Sequence, residues 1–216
     1  ALIGRRLEKL QETAQNHNEA FCVKCDVSDF KAVEDSFSTI VNNFGRVDVL
    51  FNNAGLAKPS QTIDEIDIED WKEVVNINLN GSFFCAKEAF KTMRHQSPQG
   101  GRIINNGSVS SYVPRPGSAP YTSTKHAITG LTRSISLDGR QYGIVCGQID
   151  IGNALTTMAH QMTIGVPQAD GTIKAEATMD PSNVSKTLLH MAELPIEANV
   201  QFVTVMASTM PYIGRG

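Results

Sequence analysis

Strand and helix patterns alternate along almost the whole chain, and this alternation limits the available folds more than any other feature. Residues 7–16 carry a helical pattern and residues 20–25 a strand pattern. Ser28 or Asp29 caps a helix that runs to about Asn43 and stops at Gly45. Val47–Asn52 is apolar on both faces, as expected of a parallel strand covered on each side. A long helix is predicted from Ile68 to His95, then a strand from Arg102 to Gly107 that ends at Ser108. A helix over 120–141, a strand over Ile144–Ile149, a helix over 181–193 and a strand over Gln201–Met206 complete the pattern. Alternation of this kind means βαβ units in a parallel, doubly wound α/β sheet. The 216 residues suit one domain spanning 1–216. Residues 153–180 break the pattern, and long loops in such folds usually cover a site.

Composition excludes several classes of function. The formal charge is −3, from 19 Lys and Arg against 22 Asp and Glu, with no block of like charge. Neither a nucleic-acid partner nor a membrane surface is expected from that balance. No apolar run approaches the roughly 20 residues of a spanning helix. The cysteines Cys22, Cys25, Cys85 and Cys146 sit among apolar neighbours and read as small core residues of a reducing cytoplasm. Cys22 and Cys25 have a metal-like spacing, but on a strand residues three apart point to opposite faces. No metal is expected.

The chemistry concentrates around Tyr121 and Lys125, four residues apart at the start of a helix, with Ser108 thirteen residues before the tyrosine. That spacing puts phenol and ammonium on one helix face, one turn apart. A neighbouring ammonium favours phenolate, so the tyrosine pKa is expected to fall from about 10 toward working pH. Such a phenol exchanges a proton with a substrate hydroxyl or carbonyl, and Ser108 is placed to hydrogen-bond the same oxygen. Ligands of open α/β sheets bind beyond the carboxyl ends of the strands. There stand Asp26-Val27, Asn52-Asn53-Ala54-Gly55, Ser108 and Ile151-Gly152, small or polar residues that let a flat ligand approach the backbone. Asn78 lies inside an apolar stripe of Trp71, Val74, Val75, Leu79 and Phe83. Two readings of it stay open: a satisfied structural amide, or an amide that holds water beside the lysine. His126 and His160 read as hydrogen-bonded bystanders near the site.

These residues together resemble the short-chain dehydrogenase/reductase family over essentially the whole chain. Asn52-Asn53-Ala54-Gly55 is similar to its NNAG motif, and Asn78-Leu79-Asn80-Gly81 to the segment bearing its catalytic Asn. Ser108, Tyr121 and Lys125 match its catalytic Ser and YxxxK, and Asp26 its adenine-contacting acid. Gly152-Asn153-Ala154-Leu155-Thr156 resembles the stretch that holds the nicotinamide end, with Ile151 where the motif usually has proline. The resemblance implies a Rossmann-like fold and catalysis by Asn78, Ser108, Tyr121 and Lys125. It also implies cofactor contacts from Arg5, Arg6, Asp26, Val27, Asn53, Ala54, Gly55, Tyr121, Lys125, Gly152, Ala154 and Thr156. Tyr121 would be the general acid/base, and Lys125 its pKa-lowering, ribose-binding partner.

One departure stands out. The family's first βα unit, with its glycine-rich phosphate loop, has no counterpart here, and the chain starts at Ala1 rather than Met. We therefore expect an N-terminally incomplete record of a longer protein. Gly214-Arg215-Gly216 is a tail without strand-to-helix context. The expected activity is interconversion of an alcohol and a carbonyl with a small-molecule substrate. A catalytically silent dinucleotide-binding or scaffolding protein on the same fold is the alternative. Gly4-Arg5-Arg6 with no carboxylate points to NADP(H) over NAD(H), which remains possible. Residues 153–180 have few charges, which suggests a neutral or moderately apolar substrate. Phe84, Phe90, Ala127, Leu131 and Ile135 read as an outward apolar face, and with the resemblance suggest a homodimer or homotetramer.

Overall fold

The computed structural model describes residues 1–157 and 159–213; Met158 and the tail 214–216 lie outside them. The elements run β1 (Leu2–Gly4), α1 (Leu7–Ala14), β2 (Cys22–Lys24), α2 (Phe30–Phe44), β3 (Val49–Asn52) and α3 (Ile68–Val75). A π-helical turn, Asn76–Gly81, leads into α4 (Ser82–His95), followed by β4 (Gly101–Asn106) and a short 3₁₀ turn, Val109–Ser111. Then come α5 (Ala119–Gly139), a second 3₁₀ turn (Arg140–Tyr142) and β5 (Ile144–Gly152). The remainder is α6 (His160–Ile164), β6 (Val166–Pro167), β7 (Ile173–Lys174), α7 (Ser182–Glu193) and β8 (Phe202–Met206).

The strands are parallel, as the alternation requires, and form two ladders. One is β1–β2 and the other β3–β4–β5–β8. Among the described residues no strand joins them. Both nevertheless share one core: Ile3 and Cys25 pack with Ile103, Cys146 and Leu50 under α2, α4 and α5. Ile104 and Ile149 point to the other face and pack with Met191 of α7. Adjacent residues of β4 thus serve opposite layers, which makes the sheet doubly wound. β6 and β7 form a separate antiparallel pair within 153–180.

Local chemistry sets the helix ends. The Asp29 carboxylate accepts the N–H groups of Lys31 and Ala32 at 2.9 and 3.2 Å, and opens α2. Gly45, at φ 80°, closes it by donating its N–H to Val41 O at 2.7 Å.

Two expectations need correction. The helix over 68–95 is not continuous, because the π turn inserts an extra residue between α3 and α4. A stripe read at 3.6 residues per turn loses register there, and Trp71 and Phe83 are exposed while Val74 and Asn78 are buried. The face assigned to Phe84, Phe90, Leu131 and Ile135 is not an outward one. Ile135 is buried, and the other three are partly buried and pack against the same core, with Phe84 edge-on to Phe30 of α2 and Phe90 edge-on to Tyr142.

Candidate active site

The carboxyl end of β4 is the centre of the site. The strand stops at Asn106, and Ser108 caps the turn Val109–Ser111 instead of closing the strand. Its Oγ accepts the Ser110 N–H at 3.1 Å, and its own N–H is held by Asp150 Oδ1 at 2.9 Å. Tyr121 stands in the first turn of α5, behind Pro120, with Lys125 one turn on. The Lys125 Nζ lies 5.5 Å from the centroid of the Tyr121 ring and donates to Asn106 O at 2.7 Å. The three residues picked out by spacing therefore meet at one strand end.

Their ionisation differs from the expectation. Burial pushes the Tyr121 phenol above its ordinary value; a hydrogen bond with Ser108 works against this, and the Asp150 carboxylate adds to it. Burial also pushes Lys125 down to about 8, against the pull of Asp150. The lysine points at a carbonyl and has itself lost part of its preference for charge. Desolvation of the phenol prevails, so in this state Tyr121 is a protonated acid.

Asn78 is buried in the π turn, and its amide is fully engaged. Oδ1 accepts the Leu56 N–H at 2.8 Å; Nδ2 donates to Leu56 O at 2.9 Å and to Thr124 Oγ1 at 3.3 Å. It pins the turn after β3 to α5.

A buried polar chain crosses the sheet beneath these residues. Asn52 Nδ2 donates to Asn105 Oδ1, Asn105 Nδ2 to Thr132 Oγ1, and Thr132 to Gln148 Oε1, at 2.9–3.0 Å. Gln148 Nε2 donates to Asp150 Oδ1 at 2.8 Å, and Asp150 holds Ser108. Gln148 and Asp150 escaped the sequence reading, although polar residues in a run as apolar as 144–151 are a usable signal.

At the other end, Arg5 and Asp26 line a cavity of about 330 Å³ with Ser28, Lys72 and Asn76. Arg6 is exposed at the start of α1 and does not line it. Val27 packs against the core, and Asn53 Oδ1 accepts from Asn106 Nδ2 at 2.9 Å. Ala54 is exposed and Gly55 half-buried; Gly152 and Ala154 are buried, and Thr156 is exposed on the turn that follows. Of these residues, the structure brings Arg5 and Asp26 together at one cavity. Among the described residues no glycine-rich turn leads into a helix to take the diphosphate.

A second cavity, about 350 Å³, opens beside α5 and is lined by Gln61, Ile63, Pro114, Arg115, Ser118 and Thr122, among others. Arg115 is tied down by Glu176 through two hydrogen bonds of 2.6 Å. Asn153 and Gln168 also donate to that carboxylate, at 2.9 and 3.0 Å. Asn153 takes φ 52°, which turns its amide onto Glu176 and Ala177 O. This clamp fixes the 153–180 segment to the floor of the site. Glu176 is one of the few charges of the 153–180 segment, but sequence reading missed Arg115, which meets it.

Comparison with known proteins bears on the family and the fold. A 3beta-hydroxysteroid dehydrogenase of Mediterraneibacter gnavus is 41% identical over 127 residues, 59% of this chain and 45% of that protein. A gluconate 5-dehydrogenase of Gluconobacter oxydans is 35% identical over 167 residues, 74% of this chain and 63% of that one. The chain therefore spans less than two thirds of either relative. The alcohol dehydrogenase of Thermococcus sibiricus, solved with 5-hydroxy-NADP, superposes with a TM-score of 0.81 at 21% identity, over 98% of this chain and 85% of that one. The profile of short chain dehydrogenases matches residues 1–165, and on that match the chain belongs to the short chain dehydrogenase family.

Proposed function

We propose that the chain is the catalytic part of an oxidoreductase that moves a hydride between a nicotinamide dinucleotide and a small alcohol/carbonyl pair. The observation that carries this reading is the meeting of Ser108, Tyr121 and Lys125 at the carboxyl end of β4. A bound dinucleotide would supply or take the hydride. Ser108 would hold the substrate oxygen, and Tyr121, kept protonated by burial, would donate to it as a carbonyl is reduced. Lys125 reaches the floor of the site from α5 and would hold ribose hydroxyls there. The substrate class is neutral, because Arg115, the cation lining the cavity beside α5, is already neutralised by Glu176. Following reduced-cofactor absorbance over a panel of neutral ketones, aldehydes and secondary alcohols tests this. Dinucleotide binding without turnover on any of them would favour a silent binding protein.

The preferred cofactor is NADP(H). Arg5 makes no ion pair among the described residues. The carboxylates across its cavity are matched by lysines, Glu69 by Lys72 at 2.7 Å and Glu73 by Lys58 at 2.5 Å. Asp26 of the same cavity is held mainly by Ser28 and feels the Arg5 charge only as a minor influence; a guanidinium outside any close ion pair is suited to a 2′-phosphate. We expect kcat/KM to favour NADP(H) over NAD(H) by roughly tenfold or more, and Arg5→Ala to erase most of that margin. A tenfold preference for NAD(H) overturns the assignment.

A homodimer or homotetramer accompanies this reading. The apolar surface available for it is the exposed Phe83 on α4 and Leu137 on α5, rather than the face first expected. Light scattering at micromolar concentration should give a mass above the monomer, and a monomeric mass counts against it. A reducing, cytoplasmic setting suits the free thiols of Cys22, Cys25, Cys85 and Cys146. Among the described residues, no helix is long and apolar enough to cross a membrane.

A further inference from the structure

Asp150 is buried at the end of β5, with 1% of its surface exposed. Two N–H donors converge on its Oδ1, Ser108 N at 2.9 Å and Gln148 Nε2 at 2.8 Å. Hydrogen bonds of this kind favour the ionised carboxylate, against the burial that disfavours it. Oδ2 is fully enclosed and makes no hydrogen bond of ordinary geometry among the described residues, although the hydroxyls of Ser111 and Tyr112 act on the carboxylate. The backbone is fitted around this group: a Cβ at Gly107 would run into Asp150 Oδ1 and the Gln148 side chain. A purely structural role is a poor explanation for an acid in this place. Burial pushes its pKa up, so by linkage its ionisation costs stability as pH rises above the ordinary 3.8.

We propose that Asp150 is a positioning residue for the proton-transfer group, fixing the Ser108 amide and holding a negative charge beneath Tyr121 and Lys125. The charged and titratable groups around it are few. From the turn after β4 come Ser111 and Tyr112, the latter also influenced by Arg133 and Tyr212. From α5 come Tyr121 and Lys125, both raised by its charge, and Thr129 and Thr132, which reach it through Gln148. On β8 its neighbour in register is Thr204, which carries no charge. The sign follows directly: removing the negative charge stabilises phenolate at Tyr121 and neutral amine at Lys125, so both midpoints move to lower pH.

Asp150→Asn isolates the charge, because the amide oxygen still accepts from Ser108. This inference builds on the role given to Tyr121 above, so the deciding readout is ionisation rather than turnover. The protein holds four tyrosines, and isotope-labelled tyrosine gives each its own NMR titration, with Tyr121 assigned by its loss in Tyr121→Phe. We expect the Tyr121 midpoint to fall by about one unit, roughly a tenfold change in the ionisation constant, in Asp150→Asn. The melting temperature at neutral pH should be unchanged or higher. An unmoved Tyr121 midpoint overturns the proposal, and so does a large loss of thermal stability with an unmoved midpoint. If the variant does not fold, the wild type still decides. The Ser108 amide shift should titrate together with the Asp150 carboxyl, above the ordinary aspartate range, and its failure to do so refutes the proposal. A moved midpoint in a protein that reduces no carbonyl would leave this inference standing and refute the oxidoreductase reading.

Discussion

Replacing Tyr121 by phenylalanine is expected to lower turnover by roughly 10²–10⁴-fold while leaving dinucleotide affinity within about twofold. The substitution keeps the ring that Lys125 approaches at 5.5 Å and removes only the hydroxyl. The wild-type pH dependence follows from the sign of the tyrosine shift. Because burial holds the phenol above its ordinary value, the acid form needed for carbonyl reduction is present throughout the neutral range. Alcohol oxidation needs phenolate, so its rate should climb about tenfold per pH unit through the same range. Steady-state assays in both directions, on any substrate that turns over, check both statements. A phenylalanine variant with wild-type turnover would remove Tyr121 from the mechanism.

Breaking the clamp on the 153–180 segment should have the largest effect on stability. Glu176→Ala leaves the Arg115 guanidinium, 13% exposed, without its carboxylate, and orphans donors from Asn153 and Gln168. Removing one partner of a buried pair typically costs about 3–5 kcal/mol, on the order of 6–20 °C in melting temperature for a domain of this size. The loss should appear first as faster hydrogen exchange in 153–180. A double change, Arg115→Met with Glu176→Leu, should recover most of it. Acid reports the same interaction. Burial pushes Glu176 up, but the hydrogen bonds from Arg115, Asn153 and Gln168 prevail and hold it down at about 2, against an ordinary 4.5. Its contribution is thus complete above the ordinary value and fades as pH falls toward 2. An unchanged melting temperature and unchanged exchange in Glu176→Ala would show that the clamp does not hold the segment.

The contrast between these two sites explains what was legible in the sequence. Tyr121 and Lys125 are one helical turn apart, and Ser108 follows a strand with apolar residues on both faces, so local periodicity alone brings all three to one edge. Arg115 and Glu176 are 61 residues apart, and Ser108 and Asp150 are 42 apart. Nothing local marks such pairs, because the fold of the intervening chain decides whether they meet. The protonation of Tyr121 was misjudged for a related reason. The ammonium neighbour is visible in the spacing, whereas the burial that raises the phenol exists only after α5 packs on the sheet. The π turn was hidden because an extra residue in a helix leaves both flanking stretches with their own valid 3.6-residue period.

That turn has a consequence for how this chain tolerates change in length. Loops absorb insertions and deletions, but Asn76–Gly81 is enclosed, with Ile77, Asn78 and Gly81 all buried. Losing one residue there would let the backbone relax into ordinary α-helix. Because the turn already absorbs the extra residue, α4 would keep its seating, with Cys85, Ala89 and Met93 still facing the core. The loss would fall on the turn itself, where Asn78 ties Leu56 and Thr124 together. The segment that looks most like an irregularity in the helix is therefore where one residue could be lost without turning the helix, at the expense of the contacts that Asn78 makes.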